Sequence, residues 1–304
     1  MKKRSALIGL FIALGAFLFG QEQQDHFFEA SDTLHRPRRN TVIVGESALA
    51  LTSLLGLHQL WYKDFEQSKF HTVNDFDQWQ QLDKAGHVFS SYQMGRMSAG
   101  LLNWSGVSKK DQLLYGATAG FAYLGVVEIF DGYSEEWGFS WSDIAANALG
   151  TGLYVSQELL WQEQRVLMKY SFHQTEFASR NPDQLGNGFF EEVVKDYNGQ
   201  TYWLSFNLRS FFKKSKIPKW LNLAVGYGAE GMLTPSSNSF ELSEFNSHER
   251  YRQFYLSFDI DLSKIDTKSR FLQSMIDVFN MIKVPFPTLE FNGKNGIRGH
   301  YIYF

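Results

Sequence analysis

Between Asp83 and Trp161 the chain alternates Gly-, Ala- and Leu-rich runs with a few fixed polar marks, and this stretch limits the fold most. It opens with Asp83-Lys84-Ala85-Gly86-His87 and passes through Glu128-Ile129-Phe130-Asp131-Gly132. It closes on Gly138-Phe139-Ser140-Trp141-Ser142-Asp143 and then Asn147. Small residues recur four apart: Gly95 and Ala99, Gly116 and Gly120, Ala146 and Gly150, Ala148 and Gly152. On a helix such positions share a face, and a face without side chains lets a neighbouring backbone come close. Ala122 and Gly125 widen the small face of the third run. The runs read as closely packed helices with ionisable groups near their ends.

Four helices are expected, over Thr41–Tyr62, Asp83–Trp104, Gln112–Phe130 and from Ser140 to beyond Trp161. Ser108-Lys109-Lys110-Asp111 and Ser140-Trp141-Ser142-Asp143 carry the spacing of a capping box, in which a hydroxyl satisfies a free N–H of the first turn. Gly106 and Gly132 suit helix stops. The first helix holds one formal charge, Glu46, in 22 residues, a length of ~33 Å. It fits either a bilayer crossing or a buried helix with Glu46 near its first turn.

Beyond residue 198 the hydrophobic period changes from helical spacing to strict alternation. Tyr202, Leu204, Phe206 and Leu208 alternate with Trp203, Ser205, Asn207 and Arg209, and Phe254, Leu256, Phe258 and Ile260 with Tyr255, Ser257, Asp259 and Asp261. Five or six antiparallel strands are expected over 198–304, with one amphipathic helix at 270–283. Alternating aromatic strands resemble those of the outer membrane, though a closed membrane barrel needs about eight. The expected fold class is α+β: a Gly/Ala-rich four-helix bundle (41–170) followed by an antiparallel aromatic-rich sheet, membrane-associated. Lys2-Lys3-Arg4 before an uncharged apolar run marks residues 1–20 as a signal peptide. Residues 21–40 read as a flexible mature N-terminus.

Lys and Arg total 29 against 32 Asp and Glu, so no basic excess exists to hold nucleic acid. The absence of cysteine excludes disulfides, thiolate chemistry and a lipid-modified cysteine. The aromatic share of 16% suits strands and membrane–water interfaces.

Short links between antiparallel helices would bring Asp83 and His87, Glu128 and Asp131, and Asp143 and Asn147 to one mouth of the bundle. The candidate catalytic residues are Asp83, His87, Glu128 and Asp131. Lys84, Asp143 and Asn147 complete the polar cluster. His87, Asp83 and Asp131 are candidate metal ligands, as imidazole and carboxylate donors. A purely structural account also stands, in which Asp143 caps a helix, Asn147 bonds across helices, and Asp83 pairs with Lys84 or Arg96. No nucleophile elbow, Walker loop or dinucleotide fingerprint occurs, and no cofactor is expected.

The pattern Asp83-Lys84-x-x-His87, then Asp131-Gly132, then Gly138-Phe139-Ser140-x-x-Asp143-x-x-x-Asn147-x-x-Gly150, resembles the YfiM-like family. That family is a bacterial envelope domain of unknown function, described as a predicted periplasmic lipoprotein. The resemblance spans roughly residues 41–165 and implies export, without a reaction or catalytic residues to transfer. The region after it resembles the extension of Bacteroidetes-type members. The function expected is a structural or binding role at the outer membrane or in the periplasm, with membrane lipid or envelope proteins as partners. The alternative is a lipid- or glycan-directed hydrolase, or a metal-binding protein, using the carboxylate/His cluster.

Overall fold

The computed structural model describes residues 27–62, 66–236 and 249–303. The expected signal peptide, and most of the polar loop expected after Gly231, lie outside the described residues. The chain is α+β. Its helical part holds α1 (Arg36–Leu57), α2 (Leu82–Trp104), α3 (Ala119–Gly132) and α4 (Trp141–Trp161). A short parallel pair, β1 (Thr72–Val73) with β2 (Phe139–Ser140), ties the α1–α2 connection to the start of α4. Six antiparallel strands then form one sheet in sequence order. They are β3 (Val166–Phe172), β4 (Gln200–Asn207), β5 (Leu221–Glu230), β6 (Tyr251–Ile260), β7 (Phe286–Asn292) and β8 (Gly296–Tyr303). The amphipathic helix α5 (Arg270–Phe279) lies between β6 and β7.

Both predicted caps form. Ser108 accepts from the Asp111 N–H and Ser140 accepts from the Asp143 N–H. The α2 helix is central and packs on α3, α4 and the sheet, while α1 leans on this group at its edge. Small residues set the helix spacing. An added Cβ at Gly95 would meet the Ala117 carbonyl oxygen at 2.4 Å, and one at Gly116 would meet Ala99 at 2.6 Å. At Gly120 it would meet the Ser91 carbonyl at 2.6 Å, and at Gly150 the Val88 carbonyl at 2.2 Å. These backbones are in contact, so their interface excludes water and any Cβ. The expected contribution of Gly125 and Gly152 is not found: an added Cβ at either meets nothing within 4 Å. Ala122 and Ala148 are likewise exposed.

Several boundaries differ from the sequence reading. The first helix begins at Arg36, not Thr41, because Pro37 sits comfortably in a first turn and His35 caps it. Residues 27–35 take a definite place: Phe27 packs edge-on against Trp104, and the Trp104 indole N–H donates to the Phe27 carbonyl. The helical region ends at Trp161, where Gln162 turns left-handed (φ 53°). The sheet therefore begins at Val166, inside the span read as helical, and not near residue 198. The helix expected at 270–283 stops at Phe279, and residues 281–283 instead bond to the outer edge of β3. Third-helix residues Gln112–Gly116 form a wide π-type turn ahead of α3.

The sheet has two unlike faces. Lys169, Trp203, Ser205, Tyr255, Ser257, Asp259 and Glu290 lie on one face and are buried. Lys169 Nζ sits 2.8 Å from Asp259 Oδ2, both fully buried. Ser205 donates to the same carboxylate at 2.6 Å, and Asn222 donates to Ser205 at 2.8 Å. The sheet curls over this face. Tyr303 on β8 reaches the Thr201 hydroxyl on β4 at 3.2 Å and donates to the Tyr255 hydroxyl at 2.7 Å. The other face is apolar. Met168, Tyr170, Tyr202 and Leu204 pack on α2, but Phe254, Leu256, Phe258, Leu289, Phe291 and Ile297 remain exposed.

Two stability outcomes follow from this packing. Gly150→Ala pushes α2 and α4 apart and lowers stability by roughly 1–3 kcal/mol, as overpacking does. Gly152→Ala, in open space on the same helix, raises stability by about 0.5–1 kcal/mol. Urea midpoints of the two variants check the contrast. Asp259→Ala leaves the Lys169 ammonium buried without its partner and costs about 3–5 kcal/mol, read from the same measurement.

Candidate functional site

The mouth of the helix group is built on Lys84. Its ammonium lies 2.6 Å from Asp75 Oδ2, 2.8 Å from Asp83 Oδ2 and 2.8 Å from Asp143 Oδ1. Asp75 comes from the α1–α2 connection, Asp83 and Lys84 from the first turn of α2, and Asp143 from the first turn of α4. The approach to α2 is unusual. Trp79, Gln80 and Gln81 are consecutive left-handed residues with φ of 49°, 53° and 63°. The Trp79 N–H donates to the Pro235 carbonyl at 2.9 Å and its ring packs on Tyr197, while the Tyr227 hydroxyl donates to the Gln80 carbonyl. Such conformations cost about 1–3 kcal/mol each unless the surroundings fix them. Here the sheet supplies the fixing contacts, and so places Asp83 and Lys84.

His87 stands one turn above Asp83. Its Nδ1 is 3.0 Å from Asn147 Oδ1, an acceptor, so Nδ1 carries the proton and Nε2 faces the cluster. Three carboxylate oxygens surround Nε2: Asp143 Oδ1 at 3.7 Å, Asp83 Oδ1 at 3.8 Å and Glu128 Oε1 at 3.8 Å. Glu128 is buried, and its other oxygen accepts from the Ser140 N–H at 3.1 Å. Asp83 Oδ1 also accepts from the Tyr197 hydroxyl at 3.0 Å. Asp75 Oδ1 takes the hydroxyls of Ser140 and Ser142 at 2.6 and 2.8 Å. The Asp143 Oδ1 atom is buried without a hydrogen bond, since Lys84 approaches it closely but off-axis, and Asn147 Nδ2 is also buried and unbonded.

The expected convergence of Asp83, Lys84, His87, Glu128, Asp143 and Asn147 is thus what the fold displays. Asp131 lies beside the cluster, within electrostatic reach of His87 and Asp83, but its carboxylate accepts from the Tyr62 hydroxyl at 2.5 Å. The donor atoms that lie within 4.8 Å of one another are those of Asp83, His87 and Asp143. Arg96, the other expected partner of Asp83, bonds Gln93 and the Asp277 carbonyl instead. Asp75 and Tyr197 were not singled out by the sequence. Asp75 sits in the turn Asn74-Asp75-Phe76-Asp77, and Tyr197 lies more than a hundred residues from Asp83, so neither carries a local signal.

Burial and neighbouring charge act in opposite directions here. Burial pushes up every carboxyl in the cluster, but the Lys84 ammonium and two serine hydroxyls bring Asp75 down to about 2. Burial with the Asp143 charge nearby raises Glu128 to about 8. Burial raises Asp143 to about 6, with Asp83 adding to it. For His87 burial acts downward, but the charges of Asp83, Asp143 and Glu128 outweigh it and raise its pKa. The group can therefore hold protons or a cation among fixed acids.

One comparison bears on these residues. Residues 77–158 match the model of the family described as predicted periplasmic lipoprotein (DUF2279). The match begins before the left-handed turn and ends within α4, so it takes in Asp83, Lys84, His87, Glu128, Asp131, Asp143 and Asn147. It agrees with the family resemblance read from the sequence and supports an exported, cell-envelope location. The sheet lies outside it. No curated protein and no solved structure matches the chain. The lipoprotein description meets a sequence without cysteine, so attachment through an acylated cysteine is not available to these residues.

A raised carboxyl weakens the fold as it ionises. Glu128 binds its proton more tightly folded than unfolded, so its contribution is complete below about pH 4.5 and is lost as pH rises through about 8. Glu128→Gln removes that decline. Denaturation midpoints from pH 5 to pH 9 should fall for the parent and stay flatter for the variant.

Proposed function

We propose that this chain is an exported envelope protein with a structural or binding role, held at the outer membrane by its own apolar surfaces. The observation that carries this reading is the inverted polarity of the sheet. The curled face is filled with Lys169, Asp259, Asn222 and Glu290, while the outward face presents Phe254, Leu256, Phe258, Leu289 and Phe291. A sheet in water puts these classes the other way round, and membrane strands place apolar residues outward. The α1 helix supports the same reading. Of its 22 residues only Val42 is buried, and Ile43, Val44, Leu49, Leu51 and Leu55 are exposed. By length and composition α1 and the segment Lys109–Gly132 are each apolar enough to enter a membrane. A further apolar edge, Leu149, Leu159 and Leu160, lies on the outer side of α4. Exposed apolar area of this extent marks an interaction surface.

The polar cluster fits a binding or structural centre better than a hydrolytic one. Asp75, Asp83 and Glu128 are each engaged by protein donors, and the Lys84 ammonium holds the connection, α2 and α4 together.

Fractionation tests the membrane reading. The protein should sediment with outer membranes and resist washing by high salt and alkaline carbonate. Combined Phe254→Ser, Phe258→Ser and Phe291→Ser should shift a large fraction to the soluble periplasm while leaving the circular dichroism spectrum unchanged. Purified protein should float with protein-free phospholipid vesicles. Recovery of the parent as a soluble periplasmic protein overturns the proposal, and flotation only when other envelope proteins are added replaces lipid by a protein partner.

A further inference from the structure

Three elements converge on His87 Nε2, and what surrounds that atom goes beyond a membrane-attached scaffold. With Nδ1 hydrogen-bonded to Asn147 Oδ1, Nε2 faces Asp83 Oδ1, Glu128 Oε1 and Asp143 Oδ1, and in the neutral imidazole its lone pair points among them. At 3.7–3.8 Å these oxygens are too far for hydrogen bonds to Nε2. The spacing is close to that of ligands sharing one ion: four donors at ~2.1 Å in a tetrahedral arrangement stand about 3.4 Å apart. The donor atoms of Asp83, His87 and Asp143 all lie within 4.8 Å of one another, and Glu128 Oε1 stands beside them, 3.8 Å from Nε2.

A second observation points to the same place. Asp143 is 4% exposed, and its Oδ1, the atom turned to Nε2, has no hydrogen bond. The Lys84 ammonium 2.8 Å away offsets its charge without a well-directed bond, and a bound metal ion would complete its coordination. The surroundings are organised as ligand support. Asn147 fixes the imidazole tautomer, the Ser140 N–H orients Glu128, and the Tyr197 hydroxyl orients Asp83. Supporting bonds of this kind are what metal-binding imidazoles and carboxylates require. Charge favours it too. Asp75, Asp83 and Asp143 face one fixed cation, Lys84, when His87 is neutral, and Glu128 adds a fourth charge where an entering ion displaces its proton. Lys84 keeps Asp75 Oδ2 and Asp83 Oδ2, which leaves Asp83 Oδ1 for an ion and makes Asp143 Oδ1 the shared atom.

We propose that His87 Nε2, Asp83 and Asp143 bind one divalent first-row transition cation, with Glu128 as the neighbouring carboxylate and Asn147 as the positioning residue behind the imidazole. One nitrogen and several carboxylate oxygens suit zinc or manganese, and exclude a site built for softer, thiolate-bound ions. Asp131, bonded to Tyr62, is outside the ligand set.

Metal-free protein titrated calorimetrically with zinc chloride, and separately with manganese chloride, tests this. One equivalent should bind and raise the melting temperature, since a ligand that binds only the folded state stabilises it. His87→Gln and Asp143→Asn should abolish uptake. Asn147→Ala should weaken it by about 10–100-fold, and Asp131→Asn, which removes a nearby charge but no ligand, should leave one equivalent bound. X-ray absorption on the zinc-loaded parent should show one imidazole nitrogen with oxygen neighbours, a readout independent of whether any variant folds. Absence of stoichiometric binding of either ion, binding unaffected by His87→Gln, or a spectrum without imidazole overturns the proposal. None of these results depends on where the protein sits in the envelope.

Discussion

The Lys84 ammonium is the contact on which the helical part depends. One buried cation holds carboxylates from the α1–α2 connection, from its own helix and from α4. A charge taken out of water is tolerable only when paired and hydrogen-bonded. The demand runs in both directions, because Asp75 and Asp143 are themselves mostly buried. The small-residue contacts of α2 with α3 and α4 bring these backbones together, and the ion group decides how the helix ends line up. Packing alone would let the helices slide by a turn. Carboxylates that must reach one ammonium would not.

The sheet serves this arrangement from outside the matched segment. Tyr197 reaches Asp83, and Pro235 and Tyr227 hold the left-handed turn that opens α2. The two halves are therefore one unit around α2. The apolar rings of Tyr170 and Tyr202 pack on Phe89 from the same sheet face that, two strands beyond Tyr202, lies open at Phe254 and then at Phe291. A single face thus has two roles, core on one side and outer surface on the other.

Much of this could be read from residues in order. Ser108 and Ser140 announced their caps because capping is local chemistry at fixed spacing. Gly95, Gly116, Gly120 and Gly150 announced close helices because a missing Cβ at four-residue spacing has few other uses. The polar cluster followed from helices joined by short links. What escaped was non-local. Val166–Phe172 carries Lys169 amid apolar residues; it becomes a strand by pairing with β4, and its lysine is tolerated because Asp259 on β6 meets it. Asp75 looked like a turn residue until the parallel pair of β1 and β2 brought it to Ser140. Asp131 shares a helix face with Glu128, but Tyr62, from a segment whose reach no spacing encodes, turns it aside.

The curl of the sheet carries a consequence for how the molecule is made. Tyr303 closes the concave face by reaching back to β4, and β8 follows every strand it closes over. The segments are made in sequence, so the Trp203 and Tyr255 rings lie uncovered until Tyr303 of β8 arrives. Closure of the concave face is therefore the last step of building the sheet, and a chain cut short before β8 leaves that face open.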